Sequence, residues 1–138
     1  MPKFSVLRLA RMQNQPFRPV EVTDIDAKYH VFIVRYSGDY IPHAHAADEF
    51  VYIIEGAITM EIEKQKFEVR QGEAVMIPAG TQHRPRCKNS ALALIMEKKG
   101  LQRQMDNDAD KQDLAKQSAD KKSGGKSAAA KKSTGRKG

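Results

Sequence analysis

Phe50-Val-Tyr-Ile-Ile-Glu-Gly-Ala-Ile-Thr-Met-Glu-Ile-Glu63 is the stretch that decides the fold. Phe50–Glu55 is a dense run of aromatic and β-branched residues, which suit a pleated, packed surface, and Gly56 closes it. Ala57–Glu63 then alternates. Ile58, Met60 and Ile62 fall on one face, and Thr59, Glu61 and Glu63 on the other. Side chains alternate across a strand, so this is the pattern of a half-buried one.

The same reading extends in both directions. Downstream, Lys66–Arg70 predicts a strand with Phe67 and Val69 inward. Gly72 turns the chain, Ala74–Ile77 makes a short strand ended by Pro78-Ala-Gly80, and Leu92–Glu97 is a last apolar strand. Upstream, Tyr29–Tyr36 is rich in β-branched and aromatic residues, and Ser37-Gly38-Asp39 reads as a turn. Short strands between Gly and Pro turns predict an all-β sandwich or barrel. In residues 1–28, Phe4–Leu9 and Val20–Val22 are each expected to add an edge strand, with no evident partner inside the domain.

Composition sets the bounds. The 138 residues suffice for one modest core. No apolar run is long enough to cross a membrane as a helix, and no apolar segment after Lys3 resembles a signal peptide. Lys3, Arg8, Arg11 and Arg18 without an acid resemble a transit peptide in part, but the segment is poor in Ser and Pro16 and Pro19 interrupt it. The single cysteine, Cys87, rules out an internal disulfide, which fits a reducing compartment and a cytoplasmic location. Lys/Arg and Asp/Glu balance over residues 1–110, so the net charge of +7 resides in residues 111–138. That stretch is low in complexity and has almost nothing apolar to bury, so it is expected to be disordered, with a transient helix over 101–117. The division expected is 1–28, a barrel at 29–100, and a lysine-rich tail at 101–138. The tail either solubilises the chain or neutralises nucleic-acid phosphates. It has no aromatic residue for stacking, so binding there would be blind to sequence.

The chain has four histidines. His43 and His45 share strand parity, and Glu49, Val51 and Ile53 keep it, so one strand face is expected to present two imidazoles, a carboxylate and then apolar packing. His83 follows the Pro78–Gly80 turn, while His30 lies apart from this pattern. Three imidazoles and a carboxylate suit a borderline divalent metal: Fe, Mn, Ni, Cu or Zn. His-x-His alone is a weak signal, because a lone buried His is usually a core residue. The glycines add to it, in Gly38-x4-His43-x-His45-x3-Glu49-x6-Gly56 and Gly72-x5-Pro78-x-Gly80-x2-His83.

These two segments resemble the signature motifs of the cupin family in its small single-domain form, closely over residues 38–87 and in strand order over about 29–97. The resemblance implies a jelly-roll β-barrel of conserved topology, with one divalent metal on His43, His45, Glu49 and His83. It also implies a homodimer joined through sheet faces and N-terminal strands. Gly38 stands one residue nearer its His than the family pattern has it, and Cys87 replaces an Asn that often ends the second motif. Neither change touches a ligand. Cys87 shares parity with His83, so it either faces the cavity or fills the core as a small apolar residue. We expect the latter.

Four protein ligands on a six-coordinate ion leave two positions for a small oxygen-bearing molecule or dioxygen. A metal-dependent enzyme is expected, with dioxygenase ahead of isomerase. The alternative is a non-catalytic, metal-dependent binding or sensing domain, because one fold hosts many chemistries. Arg35, Tyr36, Tyr52 and Gln82 are the candidate substrate contacts, in a barrel that also offers Met60, Met76 and Met96. No residue is singled out as catalytic, and no Gly-rich phosphate loop is present.

Overall fold

The computed structural model describes residues 1–100. In chain order the elements are helix α1 (Val6–Met12) and strands β1 (Val20–Ile25), β2 (Tyr29–Asp39), β3 (Glu49–Glu55), β4 (Ala57–Ile62), β5 (Gln65–Arg70), β6 (Ala74–Ile77) and β7 (His83–Lys98). The expected disordered tail at 111–138, transient helix over 101–117 and nucleic-acid contact all lie outside the described residues.

Strand β7 organises the rest. Along one edge it pairs with β2, from Tyr29↔Lys98 to Asp39↔Arg86. Along the other it pairs first with β3, Glu49↔Glu97 to Glu55↔Leu92, and then with β4, Thr59↔Arg86 to Ile62↔His83. Strands β3 and β4 are thus one arm, bent at Gly56. Strand β6 lines the far edge of β3, β5 that of β4, and β1 that of β2, all antiparallel. The register of β2 slips between Tyr36 and Gly38, level with the bend at Gly56. Three neighbouring strands therefore turn one corner together, which is how bulges curl a sheet. Gly56 has φ +83°, and a Cβ there would lie 2.5 Å from the Ser90 carbonyl oxygen, so only glycine fits. The result is an all-β, jelly-roll-type barrel.

Two layers of packing explain the sequence pattern. Phe32, Val34, Tyr36, Val51, Ile53, Ile58, Met60 and Ile95 belong to the inner core. Ile33 and Leu92 point the other way and are buried with Ala10 of α1, together with Val6, Leu9 and Leu94. Strand β2 is buried on both faces over Val31–Val34, which is why its sequence runs apolar without alternating.

Several expectations need correction. Residues Phe4–Leu9 do not make an edge strand, because Val6–Met12 is helical. Leu, Arg, Ala and Met favour a helix, and Val6, Leu9 and Ala10 recur with helical spacing on the face that meets the sheet. The edge strand expected at Val20–Val22 runs on to Ile25, but it pairs with β2, so the N-terminal segment has partners within the domain. Ser37-Gly38-Asp39 is a bulge inside β2 rather than a turn. Leu92–Glu97 is the second half of a longer strand that begins at His83. Pro85 hid the first half, since proline weakens a strand reading. It costs no pairing there, and its carbonyl accepts a hydrogen bond from Tyr40 N–H at 3.0 Å. On β5, Val69 is buried as expected but Phe67 is exposed, and Met76 is 56% exposed, leaving Met60 as the methionine fully inside.

Candidate metal centre

The site forms where the segment after β2 meets the start of β7. His43 N–H donates to the His83 carbonyl at 3.0 Å, and His83 N–H donates to the His43 carbonyl at 2.9 Å. This pairing sets the two rings 4.3 Å apart, centroid to centroid. Gly80 N–H donates to the His45 carbonyl, and Ala79 N–H to Asp48 Oδ1 at 2.9 Å, tying the loop before β3 to the Pro78–Gly80 turn. Glu49 opens β3. His43 and His45 therefore sit on a loop that precedes the strand, not on one strand face with Glu49 as expected. Tertiary pairing nevertheless brings all four side chains together, and all four are buried.

Backbone carbonyls set the histidine tautomers. His43 Nδ1 lies 2.8 Å from the Ile41 carbonyl and His83 Nδ1 3.0 Å from the Thr81 carbonyl. A carbonyl can only accept, so Nδ1 carries the proton in each neutral ring and Nε2 keeps its lone pair for a metal. The donor atoms of His43, His45 and His83 lie within 4.8 Å of one another. His45 Nε2 is 3.1 Å from Glu49 Oε2, and His83 Nε2 is 3.7 Å from Glu49 Oε1. Donors about 2.1 Å from a shared ion sit roughly 3 Å apart when adjacent and about 4.2 Å when opposite. These residues therefore fit a divalent metal.

The electrostatics agree. Burial and the neighbouring His83 ring lower His43 to about 3, so the ring is neutral and able to ligate. Burial alone would raise Glu49, but its contacts with His45, Glu97 and His83 prevail and hold it at about 2. Burial, and then the facing Glu49 carboxylate, push Glu97 up to about 7.

The four residues line one side of a cavity of about 50 Å³, by the measure on which one water takes about 10–15 Å³. Phe17, Phe32, Tyr36 and Tyr40 form the aromatic walls, and no Lys or Arg among the described residues lines it. Phe17 packs on Tyr40 with ring centroids 4.8 Å apart. Of the candidate substrate contacts, Tyr36 lines this cavity. Arg35 instead donates to the Gln13 carbonyl at 2.7 Å and to Ser90 Oγ at 2.6 Å, clipping the N-terminal segment to β7. Tyr52 is on the outward side of β3, and Gln82 is next to His83 but not part of the lining. Cys87 belongs to the inner core, its thiol raised by burial, and does not line the cavity. Sequence reasoning missed Phe17, Phe32, Tyr40 and Glu97. Glu97 had a signal: a charged residue on the same strand parity as the buried Ala91, Ala93 and Ile95.

Residues 30–97 match the family described as the cupin domain. No curated protein matches the chain. Among solved structures, the chain is similar to a cupin-2 domain containing protein from Shewanella frigidimarina, at 25% identity and a TM-score of 0.67, over 70% of this chain and 94% of that one. It is similar to a protein from Neisseria meningitidis, at 20% identity and a TM-score of 0.64, over 70% and 99%. It is also similar to hydroquinone 1,2-dioxygenase from Sphingomonas sp. TTNP3 with 4-hydroxybenzoate bound, at 18% identity and a TM-score of 0.62, over 70% and 73%. The described residues form a small cupin-type β-barrel.

Proposed function

We propose that this small cupin barrel holds one divalent metal on His43, His45, Glu49 and His83 and acts on a small oxygen-bearing molecule, as a dioxygenase ahead of an isomerase. The observation that carries the reading is the pair of backbone carbonyls, Ile41 and Thr81, that dedicate the Nε2 lone pairs of two buried histidines to one point. A bound divalent ion would supply Lewis acidity there and, if it is iron, access to dioxygen.

The chain's own residues do the rest. Phe17, Phe32 and Val34 exclude water from one side of the cavity and favour a flat apolar body. Neutral His43 and ionised Glu49 are ready to ligate at neutral pH without first losing a proton. Among the described residues, no Lys or Arg lines the cavity, so these walls offer an anionic substrate no fixed cation. Hydroquinones head the test panel, because they combine a flat ring with hydroxyl oxygens and are what one structurally similar barrel is named for.

The test is elemental analysis of the protein purified without added metal or chelator, followed by oxygen-uptake assays on that panel. Near-stoichiometric iron with substrate-dependent oxygen uptake is expected. Manganese, nickel or zinc with turnover but no oxygen uptake would replace the dioxygenase with an isomerase. Metal without turnover would leave a binding or sensing domain, and no metal even on reconstitution would overturn the reading.

A further inference from the structure

Glu97 faces Glu49 across the β3–β7 ladder, and His30 faces Glu97 across the β2–β7 ladder. The three side chains form a row over three adjacent strands. His30 Nε2 lies 3.3 Å from Glu97 Oε1, and His30 Nδ1 lies 3.2 Å from Glu21 Oε1. Side-chain exposure falls along the row, from 60% at Glu21 to 22% at His30, 12% at Glu97 and 9% at Glu49. One oxygen of Glu97 is thus held by His30. The other, Oε2, is buried and meets no N–H or O–H donor among the described residues; its neighbour there is the Glu49 carboxylate. The donor atoms of Glu97, Glu49 and His45 lie within 4.8 Å of one another. His45 is 6% exposed, and its Nδ1 makes no hydrogen bond either.

Two ionised carboxylates directly opposite on neighbouring strands repel, and either a proton shared between them or a cation beside them relieves this. Among the described residues, no Lys or Arg lines the cavity they share. Building on the metal reading above, we infer that Glu97 is a fifth protein donor, so that the ion is held by three imidazoles and two carboxylates. This neutralises both carboxylates with one divalent charge. His30 acts as the positioning residue that orients Glu97, the role outer partners play for metal ligands. The consequence reaches the substrate class. Five protein donors leave one open position on a six-coordinate ion. A neutral molecule offering a single hydroxyl or carbonyl oxygen binds there directly, whereas a chelating diol must first displace Glu97.

The experiment is calorimetric titration of the full chain with Zn²⁺ and with Mn²⁺ for wild type, E97Q and E97L, together with EPR spectra of the Cu²⁺-loaded proteins. A donor role predicts at least about a 10-fold loss of affinity in both variants and an altered copper spectrum. It also predicts apo melting temperatures no lower than wild type, because one of two opposed carboxylates is gone. An unchanged copper spectrum, whether or not affinity falls, would make Glu97 an outer partner or a mere neighbour and overturn the inference alone. A wild type that takes up none of these metals would overturn the metal reading itself, and Glu97 with it.

Discussion

The two ends of β7 are the most instructive comparison in this molecule. A 16-residue strand drawn straight would hold its ends about 50 Å apart. Here both ends reach Glu49. His83, at the start, places Nε2 3.7 Å from Glu49 Oε1. Glu97, near the finish, faces Glu49 in register. The first end enters through a turn, with Pro78 and Gly80 before it and a metal-ligand residue at a motif position. The second end is an ordinary apolar strand carrying one carboxylate on its inward parity. A site partner is easy to read when a local turn presents it, and hard to read when the curl of a sheet delivers it.

The largest effect should come from removing the centre both ends share. Replacing His45 and Glu49 together with Ala should abolish metal uptake while the far-ultraviolet spectrum stays that of a β-protein. Unchanged metal stoichiometry would mean the ion sits elsewhere. Next is the corner that brings the ends together. Gly56→Ala forces a methyl to within 2.5 Å of the Ser90 carbonyl at φ +83°, and should cost about 2–4 kcal/mol in urea unfolding. A loss below about 1 kcal/mol would show that the bend does not depend on this glycine. Gly38 lies at the same corner with φ +81°, but nothing stands within 4 Å of a Cβ built there. Gly38→Ala should therefore cost only the left-handed strain, about 1–2 kcal/mol, and the gap between the two variants measures crowding by itself.

Acid should separate Glu97, at the second end, from His43 and Glu49, which the two ends meet. His43 is lowered from 6.5 to about 3, so the unfolded chain takes its proton first, and this stability is lost as pH falls from about 6.5 to about 3. Glu49, lowered from 4.5 to about 2, adds a loss in the same direction below about 4.5. Glu97, raised from 4.5 to about 7, has the opposite sign. Its stabilisation is full below about 4.5 and is lost as pH rises to about 7. The metal-free protein should therefore change little in melting temperature between about 6.5 and 4.5, where the terms oppose, and lose stability steeply below. In E97Q the decline should begin near 6.5. A wild-type profile that falls evenly from 6.5 would mean that Glu97 offsets nothing.

Much of the barrel was legible because strand signals are local. The alternation of Ile58, Met60 and Ile62 and the dense run at Phe50–Glu55 each report a face without reference to anything distant. The errors mark where a second layer intervened. Val6, Leu9 and Ala10 have helical spacing, but seven residues are too few for that spacing to outweigh a strand reading. Gly38 reads as a turn by composition, and only the pairing of Tyr36 and Gly38 with Ala91 and Cys87 shows that the strand continues through a bulge. Arg35 resembled a substrate contact by residue type, yet its partners are Gln13 and Ser90, contacts between distant segments that spacing does not encode.

Residue type and spacing alone determined the all-β character, because side-chain parity and turn chemistry act within a few residues, while the four side chains of the candidate centre were legible from residue type and from the resemblance of their two motifs to a known family. Tertiary structure alone decided that Ile41 and Thr81 dedicate the histidine lone pairs, that Phe17 joins the rings of β2 and Tyr40 in walling the cavity, and that Glu97 stands opposite Glu49. Each of these depends on which strand lies beside which, and that follows from burying two faces of one curled sheet at once.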